Sequence, residues 1–478
     1  MTTIVQPLTQ AAASSYFESF YPGYTLKNFE SDGNTTILEL APTSSPICPR
    51  CGNVCTRIHD TTAREVRDMP KRHTGEIVFV RFKVRRVRCT CGCCQCEVLS
   101  WVEPRARLSN AMVGWVQGLL RLRLSISDVV RFTQLSWSTV KELDKIQLKH
   151  LFDQVDLFGV QHLLIDEFSV RKGHRYATVV MDGVDKKVLW VGMGKSKKSV
   201  QPFFDWLARE NRTEQIRSVT CDMNAAYPRM VRENLPNAQI VYDLFHVVSN
   251  FIRDVLVPAK NKARQDCCKR IEIQKRELKE KSAGALSERN QHACNVLQAQ
   301  LNRLTERSAQ YKSAEWLFAR QEVRLDENAK KQLADLREDN LLLFDLHPIA
   351  DMLRQIWKTK NPQESHSLIE TTRRLLIQIA KTHDFIPAKR FARMLLRRAE
   401  GIVHAGRFGF STARLEGANN KIKVIKRVAF GFEDMEYFFL KIKAALPGLH
   451  YSPWLDFIPG QAILRSGKVW SCCIPTKP

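Results

Sequence analysis

Eight of the fourteen cysteines fall between Cys48 and Cys96. The chain opens without a basic stretch and apolar core, so no secretory signal is expected, and such dense thiols read as metal ligands in a reducing cytoplasm rather than as disulfides. Cys48 and Cys51 form Cys-Pro-Arg-Cys-Gly, a turn that points two thiolates at one tetrahedral ion while Gly52 lets the backbone fold beneath the sulfurs. The second half, CTCGCCQC, offers Cys89, Cys91, Cys93, Cys94 and Cys96 for two remaining places. Cys89 and Cys94 are the expected ligands and Cys91 is the main substitute, with Cys55 outside the set. Zinc is the expected ion, and its plainest role is to hold together a domain too small to fold alone.

A second chemistry is written in carboxylates. Asp166 sits in the apolar strand HLLIDEF, Asp222 directly follows SVTC, and Glu416 stands alone in the basic stretch TARLEGANNKIKVIKR. An ionised acid in an apolar strand is costly unless it is paired or bound to a metal. Two aspartates and a glutamate are the oxygen donors that magnesium or manganese takes. Two such ions activate a water or a 3′-hydroxyl and stabilise the leaving oxygen of an in-line phosphodiester displacement. Each acid alone reads better as a salt-bridged or capping residue; jointly, on this strand order and in a basic chain, they point to phosphodiester chemistry.

The elements that must position these groups follow from pattern. With 478 residues the chain is too long for one core, and its ordinary 44% hydrophobic content excludes a wholly disordered protein. A net charge of +24 calls for a polyanionic partner, here double-stranded DNA, and no apolar run is long enough for a membrane span. Residues 1–45 read as a β-containing lead-in with a strand at Thr35–Leu40, and 46–104 as a zinc ribbon. In VFVRFKVRRV, Val78, Val80, Phe82 and Val84 take one face and Arg81, Lys83 and Arg85 the other, a basic face for DNA. Residues 105–155 have helix-turn-helix grammar: Ser109 caps one helix, Ser127 starts a short second, and Ser136 caps a third at Trp137. On that third helix Ser138, Lys141, Lys145 and Lys149 suit a major groove, although an ordinary connector with a solvated basic face has the same pattern.

From His162 the texture becomes α/β: HLLIDEF, YATVVMD, KVLWVGM, SVTCD and AQIVYD read as strands of a mixed sheet, with SVQPFFDWLA as a helix. Residues 156–257 form the first part of the core. A helical insertion, free of proline between Pro258 and Pro348, spans 258–385. Residues 386–446 return to the core as helices carrying Glu416, and 447–478 are a tail. The positive charge concentrates in two places, with net +10 over residues 48–150 and net +9 over 387–430.

LLIDEFSVRKGHRYATVVMD, VTCDMNAAYPRMVRENLPNAQIVYDLFHVV and LEGANNKIKVIKRVAFGF resemble three blocks of the ISL-three family of bacterial insertion-sequence transposases, and the similarity runs over about residues 35 to 445. The resemblance implies a zinc-binding domain and a helix-turn-helix ahead of an RNase H-like DDE core interrupted by an all-helical insertion. It implies Asp166, Asp222 and Glu416 as the catalytic triad and the magnesium or manganese ligands. Asp243 and His246 fall in a further block, where His246 either contacts the scissile phosphate or satisfies packing. Glu167 is expected to be structural or a hydrogen-bond partner of the site. Thr412 and Arg414 depart from the family pattern before the final Glu-Gly. Lys421, Lys423, Lys426 and Arg427 are expected along the DNA backbone, and Arg171, Lys172, His174 and Arg175 either do the same or form an exposed hairpin. The implied activity is metal-dependent strand cleavage and strand transfer at terminal inverted repeats, by a homodimer at the bacterial nucleoid. A DNA-binding regulator with an inactive core and a nuclease that does not join strands are the competing functions.

Overall fold

The structure, a computed structural model, describes residues 17–70, 75–171, 173, 175–223, 226–282, 288–314, 317, 320, 322–338, 340–408, 413–449, 461–464, 466 and 468–471. Lys172, His174 and Thr412 lie outside them, as does the side chain of Arg414. The chain forms two compact units, residues 1–156 with 432–478, and residues 157–431. No helix among the described residues is long and apolar enough to cross a membrane.

In the first unit, β1 (Tyr24–Ser31), β2 (Thr35–Pro42), β3 (Ile58–Asp68) and β4 (Ile77–Arg88) lie in the order β1-β2-β4-β3, and the short β5 (Cys94–Cys96) pairs with β4. On β4, Val78, Val80, Phe82 and Val84 are buried and Arg81 and Lys83 exposed, the two faces that a period of two dictates. Tyr24, Phe82 and Trp101 stack edge to face beneath them. The alternation breaks at Arg85. It is buried, its Nε and Nη2 donate to the two carboxylate oxygens of Glu97 at 2.9 and 2.6 Å, and its Nη1 donates to the Ser44 carbonyl at 2.6 Å. Arg85 is therefore not on the exposed basic face: a bidentate carboxylate lets a guanidinium be buried, and strand period alone does not reveal the acid that folds over it. Arg81 stays exposed and pairs with Glu65 at 2.6 Å.

Three helices follow: α1 (Asn110–Arg121), α2 (Ile126–Thr133) and α3 (Trp137–Phe152). Ser109, Ser125 and Ser136 cap them, each accepting from a backbone N–H three residues on. The second cap is Ser125 rather than Ser127. Gln134, with φ of 54°, ends α2 and makes the turn into α3. The helix Met435–Ala445 lies against α3, so residues 432–446 belong to this unit and not to the core. Gln117 on α1 accepts from the Ile463 N–H at 2.7 Å and donates to its carbonyl at 2.8 Å, tying the hairpin Gln461–Ile463/Val469–Ser471 to the same unit.

The second unit opens with β6 (His162–Arg171), β7 (Arg175–Asp182) and β8 (Val188–Met193), then α4 (Lys197–Arg209), β9 (Ser218–Cys221), α5 (Ala226–Asn234) and β10 (Gln239–Tyr242). The sheet order is β10-β9-β6-β7-β8; β6 to β8 form an antiparallel meander and β9 and β10 run parallel to β6. Next, α6 (Leu244–Phe251) passes through a π-helical turn at Ile252–Leu256 into α7 (Val257–Ser282). Against α7 the helix α8 (Glu288–Ser313) runs antiparallel, with Gln274 opposite Gln300 and Cys268 opposite Ser308. The remainder is α9 (Glu327–Glu338), α10 (Leu341–Lys358), α11 (Pro362–Thr382), α12 (Ile386–Phe408) and α13 (Ala413–Val428).

One apolar core runs from Met223 and Tyr242 at the sheet edge through α6 into α10, α11 and α12. The helical segment is therefore packed against the sheet. Gly401 marks the contact, because a Cβ there would stand 2.4 Å from the Tyr242 ring.

Candidate functional site

The thiols form the tighter of two clusters. Cys48 Sγ lies 3.7 Å from Cys91 Sγ, Cys51 Sγ lies 3.5 Å from Cys89 Sγ, and all four sulfurs fall within 4.8 Å of one another. Four sulfurs at ~2.3 Å from one tetrahedral zinc would stand ~3.8 Å apart, so the set is compatible with that ion. The fourth sulfur is that of Cys91, not Cys94, which lies exposed on β5. The reason is local. The Gly52 N–H donates to the Cys48 carbonyl and the Gly92 N–H to the Cys89 carbonyl, and both glycines have positive φ, 74° and 83°. A Cys-Gly pair thus closes each knuckle, and its recurrence at Cys51-Gly52 and Cys91-Gly92 is a sequence signal that could have put Cys91 ahead of Cys94. Backbone N–H groups hold the Cys48 thiol low, and the N–H of Cys91 holds Cys89 down to about 6. Cys55 and Cys93 are buried beside the cluster with Val87.

The carboxylates are set by strand register. Ile165 and Cys221 are the last paired residues of parallel β6 and β9, so Asp166 and Asp222 follow at the same level on neighbouring strands, whose spacing is about 4.8 Å. Asp166 accepts from the Glu167 N–H at 2.7 Å and from Asn419 Nδ2 at 2.7 Å. Burial pushes its pKa up; those hydrogen bonds and the field of His246 act against the shift, and Asp222 adds to it. Asp222 accepts from the Met223 N–H. Asp243 is buried, and His246 Nε2 lies 3.5 Å from its carboxylate. Glu167 is tied elsewhere, accepting from the Tyr227 hydroxyl at 2.8 Å with Lys195 3.7 Å away.

Asn419 is the residue that sequence patterning missed. It anchors α13 at Asp166, while Lys426 Nζ donates to the Ser169 carbonyl at 2.9 Å. Seven helical residues advance about 10.5 Å and three strand residues about 10 Å, so α13 runs along β6. Glu416, exposed in the first turn of α13, lies one turn before Asn419 and on the same face. A glutamate and an asparagine three apart were the available signal. Asn419 Oδ1 is buried without a hydrogen-bond partner, an open oxygen donor beside Asp166. Among the described residues, the thiols alone come together as a group within 4.8 Å. A half-buried acid, its neighbour one strand away, a third acid on the docked helix and an orphaned amide oxygen are nonetheless the donor set that a hard divalent cation takes.

The basic residues divide. Lys423 and Arg427 lie exposed on the Glu416 side of α13, whereas Lys421, five residues on, is turned roughly 140° away from it. Arg171 is exposed at the end of β6. On α3 the lysine face is covered: Lys141 pairs with Asp434 at 3.2 Å, Lys145 with Asp434 and Glu436 at 3.0 and 2.7 Å, and Lys149 with Glu436 at 3.0 Å. Lys141 and Lys145 are thus paired within this unit, because acids about 290 positions later in the chain stand opposite them. Ser138 remains exposed at the start of α3.

A transposase family profile of DDE type, ISL3, matches residues 163–442, a span that holds Asp166, Asp222 and Glu416. The chain is 33% identical over 425 residues to the transposase for insertion sequence element IS1001 of Bordetella parapertussis, covering 88% of this chain and 93% of that protein. It belongs to the ISL3 family of DDE transposases. A further relative, the transposase for insertion sequence element IS1557 of Mycobacterium tuberculosis, is 24% identical over 442 residues, 89% of this chain and 93% of its own. As an ISL3-family transposase the chain is placed among DNA-cutting and DNA-transferring enzymes that use divalent metal ions.

Proposed function

We propose that the chain binds the terminal inverted repeats of its insertion sequence and carries out strand cleavage and strand transfer at Asp166, Asp222 and Glu416, on an RNase H-like core. The observation that carries this is the register of β6 and β9, which brings two acids side by side, together with Asn419, which docks the helix of the third acid onto the first. The sheet order and the helices between β10 and α13 support the interrupted-core reading. Asp166, Asp222 and Glu416 would hold magnesium or manganese, which would supply positive charge to an attacking oxygen and a leaving oxygen. Asp166 and Asp222 orient the scissile phosphate's neighbourhood from the sheet, and Glu416 closes it from α13. Lys423 and Arg427, on the same helix side, neutralise backbone phosphates, as does Arg171. A new P–O bond forms opposite the one that breaks, first to water and then to a DNA 3′-hydroxyl, so no covalent enzyme–DNA intermediate arises. Cys48, Cys51, Cys89 and Cys91 hold zinc in a ribbon that, with Arg81, Lys83 and the start of α3 at Ser138, recognises the ends. Two ends require a homodimer.

The test incubates the protein with duplexes carrying the ends of its own element, a target plasmid and magnesium. Cleaved ends and joined products are expected from wild type, and Asp222→Asn should lose both while still binding the ends. Cleavage without joining would favour a nuclease, and binding without cleavage a regulator.

A further inference from the structure

Beside Asp222 lies a cleft of about 290 Å³ lined by Asp222, Met223, Asn250, Arg253, Met394 and Arg398, at the small end of ligand sites. Its walls combine elements far apart in sequence, namely the end of β9, α6 with its π-helical turn, and α12. Arg398 lies with its guanidinium carbon 5.2 Å from the centre of the Tyr242 ring, a cation–π contact that holds the group at the cleft wall. Its Nη1 is buried and makes no hydrogen bond. Guanidinium nitrogens only donate, and a buried charged donor without an acceptor is a costly state that folded chains avoid. A partner for this fork would carry acceptor oxygens.

Arg253 supplies a second cation on the π-helical turn, a deviation that recurs at functional sites. Asp254 holds it by two hydrogen bonds of 2.7 and 2.8 Å. Asn250 adds an amide to the same wall, and Met223 and Met394 close the cleft with apolar surface. Asp254 offsets Arg253, so Arg398 stands in the cleft against the single carboxylate of Asp222.

We propose that this cleft grips one non-scissile phosphodiester of the DNA strand bound at Asp222, with Arg398 as its principal donor and Arg253 as its second. A phosphodiester of the bound strand presents two unesterified oxygens, which a planar fork of donors takes in a bidentate way. The helical segment thereby contributes a strand clamp to the sheet it packs on. The proposal rests on the DNA-processing reading above, and Arg398 would act as a positioning residue for it.

The experiment uses end duplexes in which single phosphates around the cleavage site are replaced, one at a time, by neutral methylphosphonates. Binding is measured in calcium and cleavage in magnesium, for wild type, Arg398→Ala, Arg398→Lys and Arg253→Ala. Wild type should lose about tenfold or more in binding at one position. Arg398→Ala should bind the unmodified duplex about tenfold more weakly and be indifferent to the neutral group at that position, with Arg398→Lys between. If Arg398→Ala does not melt cooperatively, Arg398→Lys and Arg253→Ala carry the same comparison. An unchanged sensitivity profile in the variants overturns the clamp, even where all proteins cleave and join. A position-specific loss of sensitivity without cleavage by wild type upholds the clamp and instead defeats the strand-cleaving function.

Discussion

Replacing Asn419 by alanine removes the donor that links α13 to Asp166, the first acid of the proposed triad. The bond from Asn419 Nδ2 to Asp166 Oδ2 is 2.7 Å long and ends on a carboxylate, and hydrogen bonds to charged groups contribute roughly 1.5–3 kcal/mol. At ~1.4 kcal/mol per factor of ten, its loss should slow strand cleavage about 10- to 100-fold where the bond contributes that much more in the transition state than in the bound ground state. The effect should depend on pH. The bond favours ionised Asp166, which burial already disfavours, so its removal raises the pKa further and the variant should recover part of its rate as pH rises. Single-turnover cleavage of end duplexes across pH at saturating magnesium measures this. Lys426 still holds α13 at Ser169, so the thermal transition should move little. A rate loss equally large at every pH, or no loss at all, would refute a role through the ionisation of Asp166. Asn419→Asp sharpens the test, since a second carboxylate at this distance should be worse than alanine at high pH and better at low pH.

Two more outcomes follow from the same geometry. Cys91→Ser should lose bound zinc, read as metal content after dialysis, while Cys94→Ser keeps one ion per chain; the reverse would return the fourth ligand to β5. Because the pKa of Asp166 is raised in the folded chain, its protonated form is the better folded one: the stability it contributes is fully present below the ordinary carboxylate pKa and is lost as pH rises through the raised value. Asp166→Asn should therefore melt higher than wild type at neutral pH without divalent ions, on the order of 2 °C for ~1 kcal/mol in a unit this long. Adding magnesium should narrow the gap, and a lower melting point for the variant would show that the ionised carboxylate is stabilising.

Much of this molecule is local and hence legible in the chain. The strands around Asp166 and Asp222 follow from apolar runs bounded by turns, the caps from serines ahead of helical periods, and the first thiol knuckle from Cys48, Cys51 and Gly52. The two aspartates stood out in the chain because carboxylates in apolar strands need an explanation. Residue type and short spacing determined these features, since each depends on neighbours within one turn or one strand. What the tertiary structure decided is who stands opposite whom. Glu97 folds over Arg85, Asp434 and Glu436 occupy the lysines of α3, and Asn419 meets Asp166 across 253 positions. Arg398 comes to Asp222 only because α12 packs on the sheet edge where Gly401 leaves room for Tyr242. A positive charge in the sequence is the same whether it meets DNA, a buried acid or an empty cleft, and only the fold brings in the partner that settles its energy.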